Sequence, residues 1–113
     1  MILFLATFDE SVFSSYATRA EAEADALFER GWLPGIVPPS AKAIEISNDL
    51  NLNISNGDFR FDPQEHNALV SQLLRSASDD KNGLSAYRYE DWIFWISRKK
   101  GYCQFHMRLE RNK

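Results

Sequence analysis

The sequence DWIFWISRKKGYCQFHMRL, residues 91–109, decides the fold. Successive side chains of a β-strand point to opposite faces, and the first half of this stretch places Trp92, Phe94 and Ile96 on one face. The alternation is sharper in the second half, where one face is apolar and the other polar. It predicts two long strands that fold back at residues 98–101 and form the backbone of the core. The apolar face of the second strand holds Cys103, Phe105, Met107 and Leu109, and its polar face holds Gln104, His106 and Arg108.

Length and composition fit one folded domain. The chain has 113 residues, of which 44% are hydrophobic and 13% aromatic, which is enough to bury a core without a metal or a disulfide. Its one cysteine, Cys103, has no partner for an internal disulfide and lies on the apolar face of the last predicted strand. We therefore expect a single domain over residues 1–113, in which Cys103 is a small buried hydrophobic residue.

Charge is distributed unevenly along the chain. Residues 1–97 carry 7 Lys and Arg against 15 Asp and Glu, a net charge of -8, whereas residues 98–113 carry 6 Lys and Arg against Glu110, a net charge of +5. An acidic body repels the phosphate backbone of nucleic acids and attracts basic protein surfaces. The balance favours a basic protein partner over nucleic acid.

The beginning of the chain, residues 1–8, is apolar. It has neither the basic start nor the cleavage site of a secretion signal, and it is much shorter than the roughly 20 residues that span a bilayer. We predict a first strand here, followed by a polar connection over residues 9–16, in a cytoplasmic protein without membrane association. The alternative is a trimmed signal or anchor, which would place the protein in the periplasm.

Two helices are predicted from their capping residues. Thr18 and Glu21 have the spacing of a capping box, and Gly31 supplies a left-handed stop after the apolar spacing of the first helix. The second helix is predicted to begin with Asp62 as its capping residue and Pro63 in its first turn. Each helix has one apolar face, so we expect both to pack on a sheet. Their predicted bounds are residues 19–30 and 63–75.

The segment GWLPGIVPPSA, residues 31–41, contains three prolines and two glycines, which favour an extended, turning path. We expect Trp32, Leu33, Ile36 and Val37 to plug the core from this segment. GWLP and PPSA, together with Tyr16, Thr18, Glu21, Ala22 and Ile44, resemble a family of small bacterial proteins, some of which are encoded beside large Rhs-type polymorphic toxins. The resemblance covers about residues 16–61. It implies an association with a toxin system, as an immunity or accessory protein, rather than an enzymatic activity.

Alternating residues also predict strands on both sides of Asn56-Gly57, a dipeptide typical of a tight hairpin turn. Residues 76–85 are polar and predict a flexible loop. We therefore predict an α+β fold, in which one antiparallel sheet of hairpins packs against the two α-helices. The predicted strands are residues 43–46, 50–54, 58–61, 92–97 and 102–109, with Tyr87 and Tyr89 in a short strand before the last hairpin.

No motif points to catalysis or to a cofactor. The chain lacks a phosphate-binding glycine loop, a CxxC pair, an HExxH helix and a nucleophile elbow, and its two histidines are His66 and His106. Cys103 and His106 lie three apart on a strand and so point to opposite faces, which prevents a nucleophile–base pair. We predict a protein that is not an enzyme and has no catalytic, cofactor-binding or metal-binding residues. A small enzyme without a recognisable motif is an alternative.

The predicted function is that of an immunity-type inhibitor, which binds a cognate toxin domain with a basic surface. Aromatic residues beside complementary charges give affinity and fast association, and such a combination precedes the terminal hairpin. The predicted binding residues are Asp79, Asp80, Tyr87, Tyr89, Glu90, Asp91 and Trp92. The alternative is a nucleic-acid-binding module that uses Arg98, Lys99, Lys100, Arg108, Arg111 and Lys113.

Overall fold

The computed structural model describes residues 11–28, 33–49 and 54–108, and one antiparallel sheet runs through all three segments. Its strands are β1 (Ser11–Thr18), β2 (Lys42–Asp49), β3 (Ile54–Arg60), β4 (Leu74–Arg75), β5 (Ser85–Tyr89), β6 (Trp92–Ser97) and β7 (Tyr102–Arg108). The seven strands lie in the order β1-β2-β3-β7-β6-β5-β4. The sheet thus consists of two meanders that meet where β3 pairs with β7.

The predicted terminal hairpin is confirmed in β6 and β7. Trp92 lies opposite Met107 and Ser97 lies opposite Tyr102. The turn closes with a hydrogen bond of 3.2 Å from the Gly101 amide to the carbonyl of Arg98. Gly101 has a φ of 60°, a left-handed conformation that glycine adopts without the steric cost of a side chain.

One face of the sheet carries the core. The ring centroid of Phe105 lies 6.2 Å from that of Phe59 and 5.6 Å from that of Trp92, so side chains from both meanders meet here. Cys103 is fully buried, which confirms its predicted place among the hydrophobic residues. The buried cluster comprises Ala22, Leu27, Leu33, Val37, Ala41, Ile44, Ile46, Phe59, Phe61, Leu69, Trp92, Phe94, Ile96, Cys103 and Phe105.

Both predicted helix starts are confirmed, but the helices are short. Thr18 Oγ1 accepts a hydrogen bond from the Glu21 amide at 3.2 Å, and Asp62 Oδ1 accepts one from the Gln64 amide at 2.9 Å. Among the described residues, no helix has the length and apolar character needed to cross a membrane. The helical elements within the described residues are α1 (Arg19–Ala24) and α2 (His66–Val70), with 3₁₀ turns at Pro63–Glu65 and Ala77–Asp79.

The fold is therefore richer in β-structure than the predicted α+β arrangement with two long helices. The second helix ends early because Leu74 and Arg75 pair with Arg88 and Tyr87 of β5 instead of continuing the helix. The predicted polar connection before the first helix is also wrong from residue 11 onward, since this segment is β1. The predicted strand over residues 1–8, most of the predicted strand 50–54, Trp32 and Leu109 lie outside the described residues.

Asn56-Gly57 lies inside β3, so the prediction of a hairpin turn at this dipeptide is wrong. Gly57 pairs with Ile46 on one side and with Phe105 on the other. A Cβ atom on Gly57 would lie 2.1 Å from the Glu45 carbonyl oxygen and 2.6 Å from Cζ of Phe105. Glycine is therefore required here by the close approach of neighbouring strands rather than by a turn.

We predict that Gly57→Ala lowers the free energy of unfolding by about 1 to 3 kcal/mol, the usual cost of forcing extra volume into a packed core. The matched control is Gly35→Ala, since a Cβ atom at Gly35 would meet nothing within 4 Å. Chemical denaturation of both variants provides the measurement. Equal stability of the two variants would contradict this close packing between β2, β3 and β7.

Candidate functional site

The predicted binding residues Asp79 and Asp80 hold the end of the sheet together. Asp80 forms a bidentate ion pair with Arg75, with distances of 2.6 and 2.9 Å, and its Oδ1 also accepts the Ala86 amide at 2.7 Å. Asp79 Oδ2 accepts hydrogen bonds from the Ser76 hydroxyl at 2.5 Å and from Arg88 Nη2 at 3.0 Å. Residues 76–85 are thus structured around these two carboxylates, contrary to the predicted flexible loop.

These contacts shift both carboxyl groups toward the charged form. The hydrogen bond from Arg75, followed by that from the Ala86 amide, lowers the pKa of Asp80 to about 2. The hydrogen bond from the Ser76 hydroxyl, followed by that from Arg88, lowers the pKa of Asp79. Both negative charges are compensated within the chain, so they contribute little net attraction for a basic partner.

The other predicted binding residues lie in two further environments. Trp92 is 7% exposed and stacks on Phe94 within the core, and Tyr87 and Tyr89 are partly buried against the same cluster. Glu90 and Asp91 are exposed in the turn between β5 and β6. The structure therefore does not bring the seven residues together on one surface.

The opposite side of the sheet offers a continuous polar surface over β1, β2, β3 and β7, which we call the open face. No described helix packs on it, and near β6 it ends where Trp95 Nε1 donates to the carbonyl of Asp79 at 2.9 Å. A shallow hollow of about 360 Å³ lies on this face. The open face comprises Phe13, Ser15, Glu45, Ser47, Asn56, Asp58, Tyr102, Gln104 and His106.

Two carboxylates occupy the centre of the open face. Glu45 lies directly opposite Asp58 in the pairing of β2 with β3, and like charges in this position destabilise a sheet. Asp58 Oδ2 accepts a hydrogen bond from the Tyr102 hydroxyl at 2.8 Å. Burial, together with this hydrogen bond, raises the pKa of Tyr102 to about 12, so the hydroxyl remains a donor to Asp58 at neutral pH.

The surroundings of the two carboxylates are apolar on one side and polar on the other. Phe13 lines the hollow from the edge strand β1 and is 76% exposed. On the other side, His106 Nδ1 forms a hydrogen bond with Asn56 Oδ1. The arrangement combines fixed polar groups, negative charge and an exposed aromatic ring.

The structure also bears on the reactivity of Cys103 and on the cations of residues 98–113. Burial raises the pKa of the Cys103 thiol well above its ordinary value, which keeps it protonated and removes it as a nucleophile. Arg98, Lys99 and Lys100 are exposed in the turn between β6 and β7. Arg111 and Lys113, which belong to the predicted nucleic-acid alternative, lie outside the described residues.

Part of the chain matches a known protein family. Residues 10–60 match the model of the YbbD head domain, a small bacterial family. The match overlaps the segment that carries the resemblance in sequence, and it spans β1, α1, β2 and β3, which supply Phe13, Glu45 and Asp58. No curated protein and no solved structure matches the chain.

We predict that Asp80→Asn lowers the melting temperature at neutral pH. Because the folded-state pKa of Asp80 lies below the ordinary value of 3.8, the stabilisation is fully present above about pH 4 and is lost as the pH falls through about 2. As the pH falls from about 4 to about 2, the melting temperature of the variant should therefore decrease less than that of the parent. Thermal melts from neutral pH to about pH 2 provide the measurement.

Asp91→Asn is the control, since it makes the same chemical change in an exposed turn and no described residue forms an ion pair with Asp91. It should follow the parent at every pH. If Asp80→Asn and Asp91→Asn give the same curve, the ion pair with Arg75 is not what stabilises this end of the sheet.

Proposed function

We propose that the chain is a non-catalytic, immunity-type protein that binds and neutralises a bacterial toxin domain with a basic surface, through the open face of its sheet. The observation that carries the proposal is the pair Glu45 and Asp58 beside the exposed ring of Phe13. Two facing carboxylates lower stability, and such local violations of the rules of folding are typical of functional sites.

The chemistry of the open face favours a cationic protein group as its ligand. An arginine or lysine side chain placed between Glu45 and Asp58 would relieve their repulsion and form charge-assisted hydrogen bonds. Phe13 would cover the apolar part of the same side chain and exclude water, as aromatic residues do in the centres of protein interfaces. Tyr102 holds Asp58 in place, so little side-chain freedom is lost on binding.

Two further features support a toxin as this partner. Residues 1–97 carry a net charge of -8 and the whole chain carries -3, a sign that favours the attraction of a basic protein. The resemblance of residues 16–61 to a family of small bacterial proteins, some of which are encoded beside Rhs-type toxins, implies a toxin system, and the matched family is bacterial. The partner to test is therefore a basic toxin domain from a gene neighbouring that of this chain, called the toxin domain below.

We predict opposite effects of Glu45→Gln on stability and on binding. Removing one of two facing charges should raise the free energy of unfolding by roughly 0.2 to 1 kcal/mol. The same change should slow association with the toxin domain, and the double reversal Glu45→Lys with Asp58→Lys should slow it by about tenfold or more at low salt. Stopped-flow association and chemical denaturation provide the two measurements.

Salt and a matched control separate specific from general attraction. The difference between parent and double reversal should shrink as salt reduces the screening length from about 10 Å at 0.1 M to about 3 Å at 1 M. Asp91→Asn, which removes one charge from the exposed turn, should associate like the parent. Unchanged toxin protection in cells that carry the double reversal would contradict the proposal.

A further inference from the structure

A second hollow lies where the open face reaches the turn between β6 and β7, and its charge is positive. It measures about 490 Å³ and is lined by Ser40, Lys42, Arg60, Phe61, Asp62, Pro63, Lys100 and Gly101. Three of these residues are cationic. They come from three distant parts of the sequence, so only the folded chain brings them together.

An irregularity in β2 places Lys42 in this hollow. The pairing of β2 with β3 shifts by one residue between Lys42 and Glu45, and Ala43 has a φ of 50°, in the left-handed region. An extra residue in one strand, a β-bulge, changes the direction in which the neighbouring side chains point. As a result Lys42 lies opposite Arg60, and Glu45 lies opposite Asp58. The two residues of β2 are three positions apart, whereas their partners in β3 are two positions apart. The facing carboxylates are thus followed along the same strands by two facing cations.

The cations of the hollow have no ion-pair partner in the part of the chain that the structure describes. No described carboxylate forms an ion pair with Lys42, Arg60 or Lys100. Asp62, which also lines the hollow, uses Oδ1 to accept the Gln64 amide at 2.9 Å. The guanidinium carbon of Arg60 lies 5.4 Å from the ring centroid of Tyr102, a cation–π contact that orients the arginine.

We infer that this hollow is an anion subsite that takes a carboxylate of the same protein partner. The inference rests on the proposed function, because it extends the open face by one subsite of opposite charge. Residues advance by about 3.3 Å along a strand, so Asp58 and Arg60 are separated by about 7 Å. The partner surface should therefore present a cation and a carboxylate about 7 Å apart, and binding should fix its orientation as well as its affinity.

Charge reversal in the hollow tests the inference on the complex with the toxin domain. Lys42→Glu and Lys100→Glu should each weaken the complex by about tenfold, mainly through faster dissociation. The control is Lys99→Glu, which makes the same change next to Lys100 but outside the lining of the hollow. It should change the dissociation constant by less than about twofold. Equal effects of Lys99→Glu and Lys100→Glu would indicate diffuse attraction and overturn the subsite.

A second measurement needs no partner. Acetate, used as a carboxylate probe in an amide NMR titration, should shift the signals of Lys42, Arg60 and Gly101 saturably, and Arg60→Ala should abolish these shifts. Shifts of equal size at Lys99, or none at the hollow, would overturn the subsite.

The two proposals fail in different ways. If the toxin domain binds the parent and the reversal of Glu45 and Asp58 weakens the complex, but Lys42→Glu and Lys100→Glu do not, the anion subsite alone is wrong. If the toxin domain does not bind the parent, the proposed function is wrong, and so is the assignment of the anion to that partner; the acetate titration then decides alone whether the hollow binds a carboxylate.

Discussion

The pairing of β3 with β7 holds the two halves of the chain in one sheet, and the other features depend on it. Seven residue pairs, from Ile54 with Arg108 to Arg60 with Tyr102, join the two meanders. The strands approach so closely that Phe105 fills the space which a Cβ atom on Gly57 would need. Without this contact each meander would expose a long sheet edge and half of an apolar face. With it, one face carries a continuous core, and on the other face the polar surface of the first meander continues onto β7.

The same pairing assembles the candidate site. Asp58 belongs to the first meander, and it is held by the hydroxyl of Tyr102 from the second. Across β2, Glu45 faces Asp58, and the shift in pairing beside Ala43 brings Lys42 opposite Arg60. Acidic and basic pairs therefore follow each other along two neighbouring strands. Each pair costs stability in the free protein, and a partner with the complementary pattern would remove both costs at once.

The sequence correctly predicted the strands that are determined by the pattern of neighbouring residues. The alternation of residues 92–97 and 102–108 is strong because one face is buried and the other solvated, and it places Phe94, Cys103 and Phe105 in the core as expected. The turn predicted at Asn56-Gly57 is wrong because pairing with strands that are distant in sequence overrides the local preference of this dipeptide for a turn. For the same reason the second helix ends before Leu74 and Arg75, which pair with β5.

The candidate site could not be read from the sequence because it depends on register. A turn at Asn56-Gly57 would have given Glu45 and Asp58 different neighbours, and β1 was not predicted at all, so Phe13 had no assigned face. Asp79 and Asp80 looked available for a partner because Arg75 and Arg88 are placed beside them only by the pairing of β4 with β5. Charge composition favours a basic partner, and the surface that we propose for it, the open face, is formed only by the folded chain.

We propose that the partner binds the open face of the sheet. Hydroxyl-radical footprinting tests it directly on two residues of similar exposure, Phe13 at 76% and Leu74 at 75%, on opposite edge strands of the described sheet. In the complex with the toxin domain, oxidation of Phe13 should fall strongly while that of Leu74 stays as in the free protein. Protection of Leu74 with unchanged oxidation of Phe13 would contradict the claim.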